Sequence, residues 1–210
     1  MTTWTDWQQR RMDANLRACE EHRQAYHLST LGHCPQGQAD DVLSVDCQMA
    51  CPAWTTCPLQ PHRGAVIDRF FGDYIFLSNF YYADMMVAGV RYPSVEHAYQ
   101  AKKTYSIRWQ ERIRRAPTPK VAKRLGYRVP LREDWEEIKL PVMKDLIRQK
   151  FDPDTHPALT AKLLATGDAL LVEGNTWGDR FWGVDRETGL GLNHLGRILM
   201  EIRGEVADTV

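Results

Sequence analysis

Three polar residues, Glu96, Gln100 and Lys103, recur at the spacing that brings side chains onto one face of a helix. Such spacing places a carboxylate, an amide and an amine in one stripe. The carboxylate of such a stripe can transfer protons, and an amine whose pKa is lowered can act as a nucleophile. The spacing alone favours a simpler interpretation, an exposed helix face with an ordinary glutamate-to-lysine stripe. Both interpretations stay open at this point.

A second group of reactive side chains follows a run that predicts a buried strand. Glu173, Trp177, Asp179 and Trp182 fall within a short segment that is also rich in glycine. Loops after buried strands are a usual location for binding and catalytic residues. The two tryptophan rings can present flat faces to a base, and the two carboxylates can transfer protons or bind ribose hydroxyls. The alternative is a structural loop whose aromatic side chains fill the core.

A third, glycine-rich segment leads into a predicted C-terminal helix and has the sequence Gly189-Leu-Gly-Leu-Asn-His-Leu-Gly-Arg197. The free N–H groups at the start of a helix can bind a phosphate or a sugar oxygen. The segment matches neither the context and spacing of a dinucleotide-binding fingerprint nor those of a P-loop. By itself it is only a weak indication of a site.

Short strand-like runs and amphipathic helices must position these residues. The strand-like runs are 74–77, 85–92 with Gly89 as a turn or bulge, and 169–173. Ser94 is a suitable N-cap for the helix that carries Glu96. Strands followed by helices and a further strand favour an α+β fold. We therefore expect a compact, mainly helical α+β domain with a small β-sheet, whose helices span 94–105, 118–126, 134–150 with a bend at Pro141, 157–165 and 192–203.

The distribution of cysteine divides the chain. All five cysteines precede residue 58. A chain of 210 residues is long enough for one well-buried domain and a small appendage. We predict a helical, cysteine-rich extension at 1–63, with a helix at about 6–26, and one main domain at 64–210.

Four cysteines of this extension, Cys34, Cys47, Cys51 and Cys57, lie within 24 residues and can enclose a metal. Structural zinc and an iron–sulfur cluster are both possible, with Cys19 able to replace Cys34. The paired C-x-x-C spacing of zinc knuckles is absent, and partly buried thiols without a ligand are the alternative. Because four thiolates leave no open position for a substrate, we do not place catalysis at this site. We expect no cofactor to be required for catalysis.

Charge and hydropathy restrict the partners. The 27 basic residues balance 27 acidic ones, so any attraction to a polyanion must be local. The segment 108–132 holds nine basic residues and one acid, Glu111, and can bind the phosphates of a nucleotide or of DNA, although an ordinary solvated face is an equal alternative. We expect a cytoplasmic protein without a membrane partner, because the sequence has no apolar run of about 20 residues and no signal-peptide core.

Five blocks together resemble the NADAR family in order and spacing, over roughly 66–203. These blocks are Phe76-Leu-Ser-Asn-Phe80, Tyr92-Pro-Ser-Val-Glu-His-Ala-Tyr-Gln-Ala-Lys-Lys103, Leu171-Val-Glu-Gly174, Trp182-Gly-Val184 and Gly191-Leu-Asn-His-Leu-Gly-Arg-Ile-Leu-Met200. The resemblance implies a compact α+β domain with N-glycosidase activity. Members act on ribosylaminopyrimidine phosphates of riboflavin synthesis or on ADP-ribose attached to guanine, so the implied partner is a nucleotide-like small molecule or ADP-ribosylated nucleic acid.

The resemblance also assigns residues to the site. It matches Lys103 better than Lys102 to the family lysine, and we expect Glu96, Lys103 and Glu173 to be catalytic. With Trp177 added from its position in the loop, the expected substrate-binding residues are Asn79, Gln100, Trp177, Asp179, Trp182 and Asn193.

These residue types suit cleavage of a ribosyl C1–N bond. Departure of the base leaves an oxocarbenium-like ribose, which carboxylates can stabilise while they transfer protons. Lys103 can instead form a Schiff base with C1 of a ring-opened sugar if its pKa is lowered. The alternative from another class is a module that binds ADP-ribose or an NAD-like ligand without turning it over.

Overall fold

The computed structural model describes residues 65–209, which divide into two compact units. One unit comprises 65–69 and Asp168–Arg197, and the other comprises Phe70–Gly167 and 198–209. The predicted helix at 6–26 and the four-cysteine motif lie outside the described residues. The predicted boundary between 1–63 and 64–210 stays a prediction.

The larger unit, Phe70–Gly167 with 198–209, contains an antiparallel hairpin. Strand β2 (Tyr82–Val87) pairs with β3 (Val90–Ser94). Ala88 and Gly89 form the turn, and both have positive φ angles, of 50° and 76°. Gly89 adopts this conformation without a steric penalty, and the turn therefore forms at Gly89, as predicted. The strand prediction at 85–92 is therefore confirmed as two strands joined by a turn.

The central element of this unit is helix α1 (Val95–Lys102). The Ser94 hydroxyl accepts a hydrogen bond from the His97 N–H, which confirms Ser94 as the N-cap. Every residue from Val95 to Ala101 is buried. The helix is enclosed because it packs against the hairpin and three other helices, namely α2 (Ile107–Arg114), α3 (Pro119–Gly126) and α4 (Trp135–Lys150).

The remaining helices largely follow the sequence prediction. Helix α5 is Pro157–Leu164, and α6 is His194–Ala207, which extends beyond the predicted end. Helix α2 was not predicted, since only Ile113 of its residues is buried and its apolar pattern is thin. Among the described residues of the larger unit, the core is formed chiefly by Leu77, Met85, Val95, Ile113, Met143, Ile147, Phe151, Leu163, Leu199 and Ile202.

The strand predicted at 74–77 is wrong. These residues lie in a 3-10 helix, Gly72–Leu77. Phe76 and Leu77 are adjacent in sequence and both buried, a pattern that a half-buried strand, with side chains alternating between two faces, does not give. The β-type composition of the run was therefore overridden by packing.

The smaller unit, 65–69 with Asp168–Arg197, contains two short parallel ladders. Strand β1 (Val66–Ile67) pairs with β4 (Leu170–Leu171), and β5 (Gly174–Asn175) pairs with β6 (Val184–Asp185). The predicted buried strand at 169–173 is thus present, but only Leu170 and Leu171, which form β4, are paired in a ladder. With helices, a hairpin and these ladders, the described residues have the expected α+β class. In this part of the chain we find no helix both long and apolar enough to cross a membrane.

Candidate functional site

Glu96 lies in the first turn of α1 and is only 5% exposed. Its backbone N–H donates a hydrogen bond of 3.1 Å to the carbonyl oxygen of Asn79, which joins the start of the helix to the turn after the 3-10 helix. A solvated charge stripe would leave the Glu96 carboxylate in water. The structure excludes that interpretation for Glu96, and also for Gln100, which is 3% exposed.

The amide of Gln100 fixes the orientation of the Glu96 carboxylate. Nε2 of Gln100 donates a hydrogen bond of 2.8 Å to Oε1 of Glu96, one helical turn away. A carboxylate accepts hydrogen bonds but, when ionised, cannot donate them, so this contact also fixes which way the amide is turned. Oε1 of Gln100 is buried and, among residues 65–209, has no hydrogen-bond partner. It lies against Gly126 of α3.

Lys103 follows α1 directly, and its side chain is half buried among aromatic rings. The ammonium nitrogen lies 5.5 Å from the ring centroid of Tyr99, 5.6 Å from that of Tyr127 and 5.9 Å from that of Trp135. Tyr99 and Trp135 contact each other edge to face at 5.0 Å. Such rings attract a cation while excluding water from it.

Burial lowers the pKa of Lys103 below its ordinary value. The negative charge of Glu96 opposes this shift, the positive charge of Lys123 adds to it, and Glu136 also opposes it. Burial disfavours the charged form of an amine, and nearby charges then adjust the balance. Lys103 is therefore easier to deprotonate than a lysine in water, as a nucleophilic amine requires.

The segment that carries Tyr127 and Trp135 is tied to Lys103. The backbone N–H of Arg132 donates a hydrogen bond of 2.8 Å to the carbonyl oxygen of Lys103. The guanidinium of Arg132 donates to Asp134 at 2.6 and 2.7 Å and to the Tyr105 hydroxyl at 2.9 Å. These bonds hold the segment between Tyr127 and Trp135 against Lys103 and Tyr105, the residues that follow α1.

Asn79 sits in the turn that meets the N-terminus of α1. Its side chain is buried, and Nδ2 contacts the sulfur of Met143 at 3.5 Å. Oδ1 of Asn79 has no hydrogen-bond partner among the described residues, so it can accept one from a ligand. The preceding carbonyl, of Ser78, accepts a hydrogen bond of 2.7 Å from the buried Lys150 ammonium.

In the smaller unit, Asp179 organises its own loop. Oδ1 of Asp179 accepts hydrogen bonds from the N–H groups of Phe181 and Trp182, at 3.1 and 2.9 Å. The buried amide of Asn175 bonds both backbone groups of Asp179, at 2.7 and 2.9 Å. At least one carboxylate oxygen of Asp179, which the sequence predicted to bind a ligand, is therefore occupied in holding the backbone of its own loop.

Asn193 supports the backbone at Glu173. Its Oδ1 accepts a hydrogen bond of 3.0 Å from the Glu173 N–H, and its Nδ2 donates one of 2.9 Å to the Leu171 carbonyl. Asn193 is fully buried and has a positive φ of 52°, a conformation that asparagine tolerates better than most residues. The side chain thus fixes the strand end from which the half-buried Glu173 projects.

Aromatic residues of the same unit differ in exposure. Trp177 is largely exposed, whereas Trp182 is half buried and contacts Phe181 edge to face at 5.0 Å. Phe181 also lies 4.5 Å from the ring of His194. His194 was not among the predicted site residues, because nothing in its spacing distinguishes it from an ordinary first residue of a helix.

The predicted site residues thus form two groups, each within its own unit. Asn79, Glu96, Gln100 and Lys103 belong to the larger unit, and Trp177, Asp179, Trp182, Glu173 and Asn193 to the smaller one. Within 65–209 there is no group of three or more His, Cys, Asp or Glu side chains that could hold a metal. The proposed ligands Cys34, Cys47, Cys51 and Cys57 lie outside these residues.

Comparison with known proteins agrees with the resemblance. The NADAR domain family matches residues 69–207. N-glycosidase YbiA of Shigella boydii is 43% identical over 137 residues, which cover 64% of this chain and 83% of that protein. Riboflavin biosynthesis protein VVA0006 of Vibrio vulnificus is 44% identical over 135 residues, 63% of this chain but only 36% of that longer protein.

A solved structure shares the fold. The NMR structure of the Escherichia coli protein YbiA superimposes with a TM-score of 0.62 at 39% sequence identity, covering 69% of this chain and 86% of that one. The match of the family to most of the chain, together with relatives of this identity, establishes the assignment. The chain belongs to the NADAR domain family.

Proposed function

We propose that this protein is an N-glycosidase that hydrolyses a ribosyl C1–N bond. The observation that carries the proposal is the buried Glu96 carboxylate of α1, held by Gln100, together with Lys103, which directly follows α1 and whose pKa is lowered by burial. A buried carboxylate and a partly buried amine are costly to maintain and suited to proton transfer. The names of the similar N-glycosidases support the same activity.

The reaction requires one proton to reach the base and one to leave water. When the C1–N bond breaks, its electron pair stays with the base nitrogen, which takes up a proton. Water then adds to the positively charged C1 and loses a proton to a carboxylate, leaving a C1 hydroxyl. We assign Glu96 to proton transfer and to stabilising the charge that develops at C1.

Lys103 can act in either of two ways. As an ammonium it adds electrostatic stabilisation to a phosphate or to the leaving base. As a neutral amine it can attack C1 of the ring-opened sugar; loss of the base leaves a Schiff base, which water hydrolyses to release the sugar and restore the amine. Borohydride reduction during turnover distinguishes them, because only the second route leaves a covalent sugar adduct on Lys103.

Glu173 is the second proposed proton-transferring carboxylate, on the strength of the family resemblance. Its backbone is fixed by Asn193, which supports a defined role. Glu173→Gln is its test: a fall in kcat of about 100-fold or more, with unchanged stability, supports the assignment. Activity equal to that of the wild type would remove Glu173 from the reaction.

Two substrate classes are proposed. A ribosylaminopyrimidine phosphate is favoured by the riboflavin biosynthesis proteins among the relatives. ADP-ribosylated guanine in nucleic acid is favoured by a basic surface on and beside α2 and α3, where Arg108, Arg112, Lys120, Arg124 and Arg128 are exposed. The single acid of that segment, Glu111, is bonded to Arg114, which with Arg115 lowers its pKa to about 2.

The proposed function is tested by incubating the purified full chain with each substrate and measuring release of the base. Release from one identifies the class. If DNA is the substrate, apparent affinity should fall steeply with salt, and Arg124→Gln with Arg128→Gln should reduce that slope. Binding of ADP-ribose with turnover of neither substrate would favour the non-catalytic module.

A further inference from the structure

Gly126, the last residue of α3, is in unusually close contact with the amide of Gln100. A Cβ atom built on Gly126 would lie 1.8 Å from Oε1 of Gln100, 2.6 Å from its Cδ and 3.0 Å from its Cβ. The first two distances are far shorter than a van der Waals contact, and the third is barely tolerable. Any residue larger than glycine therefore has to displace the Gln100 side chain.

Gln100 has little freedom to move aside. Its side chain is 3% exposed, and it lies on α1, between α3 on one side and the Glu96 carboxylate to which it donates. Protein interiors are packed closely enough that an added methyl group is accommodated only by shifting neighbours. The shift required by a Cβ at position 126 would move Nε2 of Gln100, and so would break or lengthen the 2.8 Å bond to Glu96.

Backbone strain does not explain the glycine. Gly126 belongs to a regular helix and is absent from the residues with positive φ, so alanine would suit its backbone. In a helix, alanine is more favourable than glycine. The requirement for glycine thus comes from the contact with Gln100 and not from local conformation.

We propose that Gly126 is a positioning residue of the candidate site, acting through Gln100 on the Glu96 carboxylate. The expected effect of Gly126 on turnover rests on the proposed function. The expected effect of Gly126 on the Glu96 carboxylate is independent of any substrate. Without the Gln100 donor, the charged form of Glu96 loses a hydrogen bond, and its protonated form is favoured. The pH at which Glu96 titrates then rises.

The first experiment is titration of the Glu96 carboxyl carbon by NMR in the full chain, comparing wild type with Gly126→Ala. Gly204→Ala is the matched control, because Gly204 also lies in a helix and a Cβ there meets nothing within 4 Å. We expect Gly126→Ala to shift the midpoint upward by about one pH unit, and Gly204→Ala to leave it unchanged. Equal midpoints in the wild type and Gly126→Ala would overturn the proposal.

A double-mutant cycle separates positioning from general damage to packing. If Gly126 acts through the Gln100 amide, adding Gly126→Ala to Gln100→Ala should shift the Glu96 midpoint no further. The truncated side chain also removes the two severe contacts, so this variant tests the proposal even if Gly126→Ala alone fails to fold. A further shift of the same size in the Gln100→Ala background would show that Gly126 acts by another route.

Turnover provides the third readout. Where the wild type releases base, Gly126→Ala should lower kcat by about 100-fold and move the limb of the pH–rate profile that reports Glu96 to higher pH. An unchanged profile would contradict the positioning role. No turnover by the wild type would count against the proposed N-glycosidase, while the NMR titration would still decide the role of Gly126.

Discussion

The Gln100 amide donates a 2.8 Å hydrogen bond to the Glu96 carboxylate one helical turn before it, and both side chains are buried. Directly after the same helix, the Lys103 ammonium lies among three aromatic rings. Glu96 and Gln100, the two residues of the polar stripe that lie on α1, are therefore internal, enclosed by α2, α3, α4 and the hairpin. Its carboxylate is held in one orientation, as a group that transfers protons to a bound substrate requires.

The pKa of Lys103 should respond in opposite directions to two nearby charges. Lys123 lowers the pKa and Glu136 raises it. We predict that Lys123→Gln moves the Lys103 titration, and any limb of the pH–rate profile that reports it, to higher pH. Glu136→Gln should move both to lower pH. The measurement is the pH dependence of kcat/KM, with direct NMR titration of the Lys103 amine. Shifts of the same sign in both variants would contradict the assigned environment.

Tyr127 should contribute to substrate binding because its ring is next to Lys103 but is 72% exposed. We predict that Tyr127→Ala raises KM between about 5-fold and 100-fold by removing a face on which a base can stack, whereas Tyr127→Phe has little effect. Phe71→Ala is the control, because Phe71 is also 72% exposed and is not one of the rings around Lys103. Equal KM values for Tyr127→Ala and wild type would exclude this contact.

Asn193 should support both stability and activity through the backbone at Glu173. Asn193→Gly keeps the positive φ but leaves the Glu173 N–H and the Leu171 carbonyl without the side chain that bonds them. We expect the free energy of unfolding to fall by about 1–3 kcal/mol, measured by denaturant titration. Asn193→Asp keeps an acceptor for the Glu173 N–H but places a carboxylate oxygen, which cannot donate, against the Leu171 carbonyl, so it should also be less stable than the wild type. Asn193→Gly should in addition be less active, and wild-type stability and activity in that variant would argue against this role.

His97 should give the fold a specific sensitivity to acid. It is fully buried, contacts the Ser94 hydroxyl at 2.8 Å and the Ala116 carbonyl at 3.1 Å, and burial lowers its pKa. The folded state therefore binds this proton less readily than the unfolded state. The contribution of neutral His97 to the free energy of unfolding is fully present above the unfolded-state pKa of about 6.5. This contribution declines as pH falls from there toward the lowered folded-state pKa.

The measurement is the free energy of unfolding from pH 8 to pH 5, for wild type and His97→Gln. The variant should be less stable at pH 8 because it loses shape complementarity, but the difference should narrow as pH falls below about 6.5. A constant difference over this range would show that His97 titrates equally in both states.

The sequence predicted most of the main elements but not their environment. Ser94 and the helix it caps could be identified from residue types and spacing, and so could the hairpin turn at Gly89. Helix α2 was missed because Ile113 is the only one of its residues that is buried. The run 74–77 was assigned as a strand because its residues suit strands, although its packing produces a 3-10 helix.

The candidate site shows the same limit. The i, i+4 relation of Tyr99 and Lys103 is visible in the sequence, but the contributions of Tyr127 and Trp135 depend on how α3 and α4 pack on α1. Burial of Glu96 and Gln100 also comes from that packing, which is why spacing alone favoured an exposed stripe. The close contact of Gly126 with Gln100 is a tertiary relation, and no local pattern indicates it.

The most direct test of the proposed N-glycosidase activity is base release by the wild type and by Glu96→Gln, assayed with a ribosylaminopyrimidine phosphate and with ADP-ribosylated guanine in DNA. Glu96→Gln keeps the size of the side chain and removes the carboxylate that accepts from Gln100. We predict that the wild type releases base from at least one substrate and that the variant, folded to the same extent, is slower by about 100-fold or more. Base release by Glu96→Gln at the wild-type rate would contradict the role of Glu96. Absence of base release by both proteins, with both substrates, would contradict the proposed N-glycosidase activity.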